Sequence, residues 1–533
     1  MPSQSINILD ILVEKPLLHF PVKTGAKGRR VTISADGVTV RSFDIELAGA
    51  DIEWWASLDV NGWIGKTLRI AVDLLPEGMT QFPALLQTDT PMEGDNLYRE
   101  ALRPLIHFSA QRGWINDPNG LVFYKGEYHL FFQHNPYGWN WGNMHWGHAV
   151  SPDLVHWTEL GETLYPDEHG TMFSGSAVVD WNNTSGFGRN GVAPLVLIYT
   201  AAGDPTTQCI AYSNDGRSFV KYEGNPVVPQ FTGGNRDPKV FWHEPTLQWV
   251  MSLYVEIAGG KHSIHFLTSP NLREWTLVSV TEGGTGADRF LYECPDFFEL
   301  PVEGNPLIKK WVLNAANSEY ALGSFDGGAF TPETAKLPDV RGKGFYAAQT
   351  FSDMPDGRRI QIGWLQAPSP GMPFNQAQSL PCELTLRNSA EGLQIRRTPI
   401  PELDSLRDGA DQSDNLENFR AELIELRAEF EPGESEIVTF QLRDATISYE
   451  AETQEIIVNG HRSSAPLIDA KQRLIIYMDR TVLEVFASDG LTYVPLPFIP
   501  DPNERSVAVH TSGDVRMIAL EVYPLKSLWN AGK

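Results

Sequence analysis

WINDPNG, residues 114–120, runs on as LVFYKGEYHLFFQHNP. Asn, Pro and Gly together fix a turn backbone, and the apolar run after them reads as a strand. Asp117 therefore sits in a turn that opens into a strand. Taken alone, it is as readily a turn residue as a functional one. Two further acidic residues at the same phase of an internal repeat raise it above that.

The repeat has the form Ser-x-(Asp/Asn)-(Leu/Gly)-x-x-(Trp/Phe). It occurs as SPDLVHW from Ser151, SNDGRSF from Ser213, SPNLREW from Ser269 and SFDGGAF from Ser324, with starts 62, 56 and 55 residues apart. Strand-like runs lie upstream of each copy: VFYKGEYHLFF, LVLIYTAA, WVMSLYVEI and KWVLNAA. Several short strands with an aromatic anchor, repeated at a long period, predict the blades of a β-propeller.

Counting back from the repeat, Asp117, Asp237 and Glu293 fall 34, 32 and 31 residues before Ser151, Ser269 and Ser324. Each stands just ahead of a strand pattern. Equivalent positions of successive blades share a radius and a height, so the three carboxylates are expected to converge on an axial funnel. The alternative is that they cap turns between blades. Converging carboxylates repel, which favours retention of a proton by one of them. Glycosidic cleavage needs one ionised carboxylate beside the anomeric carbon and one protonated carboxyl at the leaving oxygen. Phe290, Leu291 and Tyr292 predict a partly apolar setting for Glu293, one that raises its pKa.

WINDPNG, FSGS from Phe173, RDP from Arg236 and the Glu293-Cys294 pair, in this order, resemble the glycoside hydrolase family 32 β-fructosidases over about residues 100–533. The resemblance implies Asp117 as nucleophile, Glu293 as general acid/base and Asp237 as transition-state stabiliser with Arg236 beside it. It further implies that Asn116, Gln133, Trp141, Phe173, Ser174 and Trp364 line a fructose subsite. The implied reaction is hydrolysis of terminal β-D-fructofuranosyl units of levan, inulin or sucrose, with retention and without metal or organic cofactor. Fructosyl transfer, endo attack and a catalytically silent fructan-binding propeller are the competing readings. DEHG followed by FSGSAVVD resembles exo-acting fructan hydrolases more than sucrose-specialised invertases. Pro381-Cys382-Glu383-Leu384 departs from the Pro-Arg-Glu-Leu of many relatives.

Composition narrows the partners. The 533 residues carry a formal net charge of −25, which argues against nucleic acid and anionic membranes and is indifferent to a neutral polysaccharide. No stretch approaches the roughly 20 apolar residues of a membrane span. The N-terminus has no basic n-region, and Asp10, Glu14 and Lys15 interrupt its apolar run. It does not read as a signal peptide, so the protein is expected to be cytoplasmic or to begin after processing. Oligomeric state is not legible.

The sequence predicts an all-β chain in three parts. Residues 1–97 form a small N-terminal β-sandwich-like module, 98–395 a five-bladed propeller, and 396–533 a C-terminal β-sandwich. Asp36-Gly37 marks a hairpin in the first part, and Trp54, Trp55 and Trp63 read as core or interface residues rather than a sugar platform. LENFRAELIELRAEFEPG fits an amphipathic helix, while its ELRAEFEP part alternates; resemblance to the family's C-terminal module implies strand. Residues 396–415 read as a polar linker. Asp479, Glu484 and Asp489 are placed outside the funnel. Cys209, Cys294 and Cys382 are too few for a disulfide framework, and Cys294 is read as a small hydrophobe shaping the pocket. His145 and His148 lack a third ligand at metal-site spacing and are read as packed histidines.

Overall fold

The computed structural model describes residues 7–92, 94–283, 290–433 and 436–530. Residues 1–6 and 531–533 of the expected terminal parts lie outside the described residues. The protein is all-β, and the helical segments among the described residues are short 3-10 turns. Among the described residues, no helix is long and apolar enough to cross a membrane.

The N-terminal module packs two sheets. One orders Asn7–Leu12, Thr67–Val72, Arg29–Ala35 and Val38–Ile45, and the other Trp54–Asp59, Leu17–Val22 and Leu86–Thr88. Alternation turns Val31, Ile33, Leu68, Ile70 and Val72 inward against Phe20, Val22 and Trp54. Asp36 and Gly37 both adopt left-handed backbone (φ 52° and 81°) and join two of these strands in the expected hairpin. Trp54 is core, and Trp63 packs against that core.

Next come antiparallel meanders in which the chain folds back on itself four strands at a time. The first comprises Gly113–Tyr124, Glu127–Asn135, His145–Ser151 and Thr158–Leu164, the second begins at Thr171–Val179, and the third at Asn235–His243. A fourth begins at Asp296–Val302 and a fifth at Phe345–Thr350. These two share one hydrogen-bonded sheet through a parallel bridge between Val302 and Leu386. Phe374–Asn375, in the fifth group, pairs in parallel with Gly113 and Trp114 of the first. The opening strand of the second group packs against those of the first and third, and the opening strand of the fifth packs against those of the first and fourth.

All four copies of the Ser-x-Asx repeat end the third strand of their group. In each, the Asx side chain accepts two backbone N–H bonds from the turn. Asp153 takes Val155 and His156, Asp215 takes Arg217 and Ser218, Asn271 takes Arg273 and Glu274, and Asp326 takes Gly328 and Ala329. The repeat is thus one Asx turn used four times. Its upstream counterpart differs from expectation. Asp117 and Asp237 do not precede their strands but lie inside them, at register shifts between Ile115 and Pro118 and between Arg236 and Lys239. Glu293 does precede its strand.

The C-terminal region packs a five-stranded sheet containing Ile424–Glu431 against another containing Ile437–Leu442, over a core of Leu426, Phe430, Phe440, Ile447, Ile476 and Val485. Ile424–Glu431 is strand, as the resemblance implies, whereas residues 416–423 of the same stretch are turn and irregular. The stretch read as a linker is not loose. Ile400, Leu403 and Leu406 are buried in a core shared by the meanders and the C-terminal sheets.

Candidate active site

The opening strands of the meanders bring their bulges to one cavity of about 290 Å³, lined by Asn116, Asp117, Gln133, Trp141, Phe173, Ser174, Arg236, Asp237, Glu293, Cys294, Tyr346 and Trp364. All ten residues singled out from the sequence face this space. Cys294 and Tyr346 join them.

A bulge re-aims a side chain out of the alternating pattern of its strand. At the first, Asp117 Oδ2 accepts a 2.6 Å bond from Ser174 Oγ, and Oδ1 accepts from Asn116 Nδ2 at 3.1 Å. Asn119 joins the two strands behind it, donating to the Asp117 carbonyl and accepting the Gly175 N–H. At the second, Asp237 has a left-handed backbone (φ 65°), and its N–H is held by Thr200 Oγ1 at 2.9 Å. Glu293 and Cys294 are left-handed as well, with φ of 40° and 41°. Non-glycine residues held this way cost about 1–3 kcal/mol each and cluster where function requires them.

Cys294 is not the inert space-filler its size suggested. Its backbone N–H donates to Asp237 Oδ2 at 3.0 Å, and its Sγ lies 3.4 Å from both Asp117 Oδ2 and Asp237 Oδ2. One thiol therefore joins two carboxylates. Burial and the surrounding negative charge push its pKa well up, so it stays a thiol and serves as a donor.

The setting of Glu293 also differs from expectation. Leu291 is buried beside it, yet its carboxylate meets charge and hydroxyl. Arg236 Nε and Nη2 both donate to Oε2, at 3.1 and 2.8 Å, and Tyr346 OH donates to Oε1 at 2.6 Å. Arg236 is itself stacked on Tyr254, 4.7 Å from the ring centroid, which fixes the fork in place. Asp237 is a carboxyl driven well above its usual range. Burial raises its pKa to about 7; Arg236 opposes that rise, and the charges of Glu293 and Asp117 add to it. Burial raises Asp117 too, against the bonds from Ser174 and Asn116.

The remaining residues are held from behind. Gln133 Nε2 donates to the Met172 carbonyl, and Trp364 Nε1 to Gln376 Oε1. Trp141 stands at the mouth, 57 % exposed, edge-on to Phe173. Cys382 of the Pro-Cys-Glu-Leu departure is buried in its sheet and does not line the cavity. His148 pairs with His129, and His145 with the Asn143 carbonyl. Tyr346 escaped the sequence reading because the fifth group lacks the Ser-x-Asx turn, which left nothing to count back from.

The sequence profile of the glycosyl hydrolases family 32 N-terminal domain matches residues 107–399, and that of the family's C-terminal domain matches residues 394–524. The chain belongs to glycosyl hydrolase family 32. It is a glycosidase. Among its relatives, a levanase of Bacillus subtilis (strain 168) is 40 % identical over 489 residues, covering 81 % of this chain and 72 % of its own length. An extracellular exo-inulinase of Aspergillus niger is 31 % identical over 525 residues, covering 81 % and 96 %. Among solved structures, the exo-inulinase from Aspergillus awamori superposes with a TM-score of 0.73 at 28 % identity, covering 81 % of this chain and all of that one. A fructofuranosidase from Schwanniomyces occidentalis complexed with fructose gives 0.70 at 29 %, covering 81 % and 99 %.

Proposed function

We propose that this family 32 glycosidase releases terminal β-D-fructofuranosyl units from levan- or inulin-type fructans and from sucrose, with net retention. The observation that carries the reading is the meeting of Asp117, Asp237 and Glu293, from three separate meanders, around one cavity. The relatives named levanase and exo-inulinase support the substrate class. In this reading the five meanders are the blades of a propeller spanning 98–395, flanked by an N-terminal module of 1–97 and a C-terminal sandwich of 396–533.

Asp117, oriented by Ser174 and Asn116, attacks the anomeric carbon while Glu293 protonates the departing oxygen. A fructosyl-enzyme ester forms and the glycosidic bond breaks. Water then attacks the same carbon, Glu293 takes its proton, and the Asp117 carboxylate is released. Asp237 and Arg236 hold sugar hydroxyls, more firmly as the ring flattens towards an oxocarbenium ion. Burial raises the Asp237 pKa to about 7, so this carboxyl retains a proton up to near neutrality. Sugar hydroxyls donated to Asp237 favour its ionised form. No step calls for a metal or an organic cofactor.

A product time course on levan, inulin and sucrose tests the assignment. From levan and inulin, fructose is expected as the sole early product, released as the β-anomer; from sucrose it is expected with an equal amount of glucose. A ladder of oligosaccharides would mean endo attack, and longer products at high sucrose would mean transfer. A folded chain that binds fructan and releases no sugar would leave only the binding reading.

A further inference from the structure

We infer that the N-terminal module sets substrate affinity by holding the loop that carries Trp141, so that Phe43 and Asn143 are positioning residues for the sugar cavity. The inference rests on the fructosidase reading. It also concerns a part of the chain that lies upstream of the family match, which starts at residue 107.

No module residue lines the cavity. The connection runs through residues 136–144, an irregular segment between the strands ending at Asn135 and beginning at His145. Trp141 projects from this segment into the mouth, more than half exposed, with Phe173 edge-on beside it. A ring so placed is only as ordered as the backbone beneath it.

That backbone has its hub at Asn135. Asn135 Nδ2 donates to the Asn140 carbonyl at 2.7 Å, and Oδ1 accepts from the Tyr137 N–H and from Asn143 Nδ2. Asn143 passes the connection to the module. Its Oδ1 accepts the Asp44 N–H at 2.8 Å, and its Nδ2 donates to the Asp44 carbonyl at 2.7 Å. Val38–Ile45 is the outer strand of its sheet, so the carboxamide takes the place a further strand's peptide would occupy. Tyr137 adds the apolar half. It is fully buried within the module's core, stacked on Phe43 at 3.8 Å between centroids and 16° between planes. Arg41 lies over Tyr165, which is edge-on to His145 where the loop ends. From the other side, Asn375 Nδ2 donates to the Trp139 carbonyl. The loop is clamped between the module and the fifth meander.

The test uses the 533-residue chain and five variants: Trp141→Ala, Phe43→Ala, Phe43→Leu, Asn143→Ala and the double variant Phe43→Ala/Trp141→Ala. Trp141→Ala is expected to raise KM for short fructo-oligosaccharides about three- to tenfold, with kcat within about twofold, because a lost ring face removes binding more than chemistry. Phe43→Ala and Asn143→Ala raise KM in the same way, and Phe43→Leu restores most of the loss. With Trp141 already removed, Phe43→Ala adds nothing further to KM. Unchanged KM in folded Phe43→Ala and Asn143→Ala, or factors that multiply in the double variant, would overturn the inference. Asn143→Ala leaves the module's apolar core intact and decides the matter if Phe43→Ala does not fold. A folded wild-type chain that releases no fructose sinks the fructosidase reading instead. Hydrogen exchange across residues 136–144 then decides the coupling. Faster exchange in Asn143→Ala supports it, and unchanged exchange refutes it.

Discussion

Asp237 carries the electrostatic conflict of the site. It is 5 % exposed, shares its cavity with two other carboxylates, and has the neighbouring Arg236 only at 3.7 Å. Its folded pKa near 7 against an ordinary 3.8 means that the folded chain binds this proton more tightly than the unfolded chain. The sign follows: the stability it contributes is full below about pH 3.8 and is lost as pH rises through about 7. Asp237→Asn keeps the shape and removes the titration. It should therefore gain thermal stability over the wild type as pH goes from about 5 to about 8, while fructose release falls by about 10²–10³-fold for want of a transition-state contact. Equal melting temperatures of variant and wild type at both pH values would contradict a burial-driven shift. Cys294 fits the same account, since a neutral thiol between two carboxylates offers both a donor without adding charge.

The second meander's opening strand, Thr171–Val179, shows how an element delivers a side chain. Its register slips between Phe173 and Gly175, leaving Ser174 free to reach Asp117. Gly175 makes the slip possible: a Cβ there would stand 2.0 Å from the Ile198 carbonyl oxygen and 2.7 Å from Tyr199 Cα. Gly175→Ala must push the strands apart. It is expected to cost about 3 kcal/mol, read as a lower urea midpoint, and to cut activity by withdrawing Ser174. A variant with both properties intact would refute this role. Such slips also mark where the sequence stopped being informative. Strand alternation and the Ser-x-Asx turn are local, so the meanders, the hairpin at Asp36-Gly37 and the shared phase of Asp117, Asp237 and Glu293 were legible. A bulge is set by cross-strand pairs between distant segments, as between Arg236 and Tyr254, so both aspartates were expected ahead of strands that in fact contain them. The same non-locality hid the Val302–Leu386 bridge and the hydroxyl of Tyr346 on Glu293. Apolar neighbours in the sequence of Glu293 said nothing about the guanidinium that reaches it from another sheet.

The meanders and the C-terminal sheets are joined by a buried charge cluster as well as a common core. His107, just ahead of the first meander, is completely buried between Asp479 and Glu484 of the C-terminal sheet, at 2.8 and 3.1 Å. Asp479 also accepts the N–H groups of Leu105 and Ile106, and Glu484 accepts that of Leu380. These acidic residues do not line the cavity; they fasten two parts of the chain. Burial alone would drive the imidazole towards neutrality, but the bonds and charges of Asp479 and Glu484 overcome it and raise its pKa from 6.5 to about 9. A raised histidine stabilises fully below the unfolded value and ceases to do so as pH climbs through the folded one, so this contribution fades between about pH 6.5 and 9. Wild-type melting temperature should accordingly fall across that window. His107→Gln leaves two buried carboxylates without their cation, a loss of about 3–5 kcal/mol near neutrality, and its melting temperature should be nearly flat over the same range. The two curves should approach each other by about pH 9.5. Parallel curves for wild type and variant would mean that the cluster does not titrate in the folded protein, and that the junction rests on the apolar core of Ile106, Phe108, Val482 and Phe486 alone.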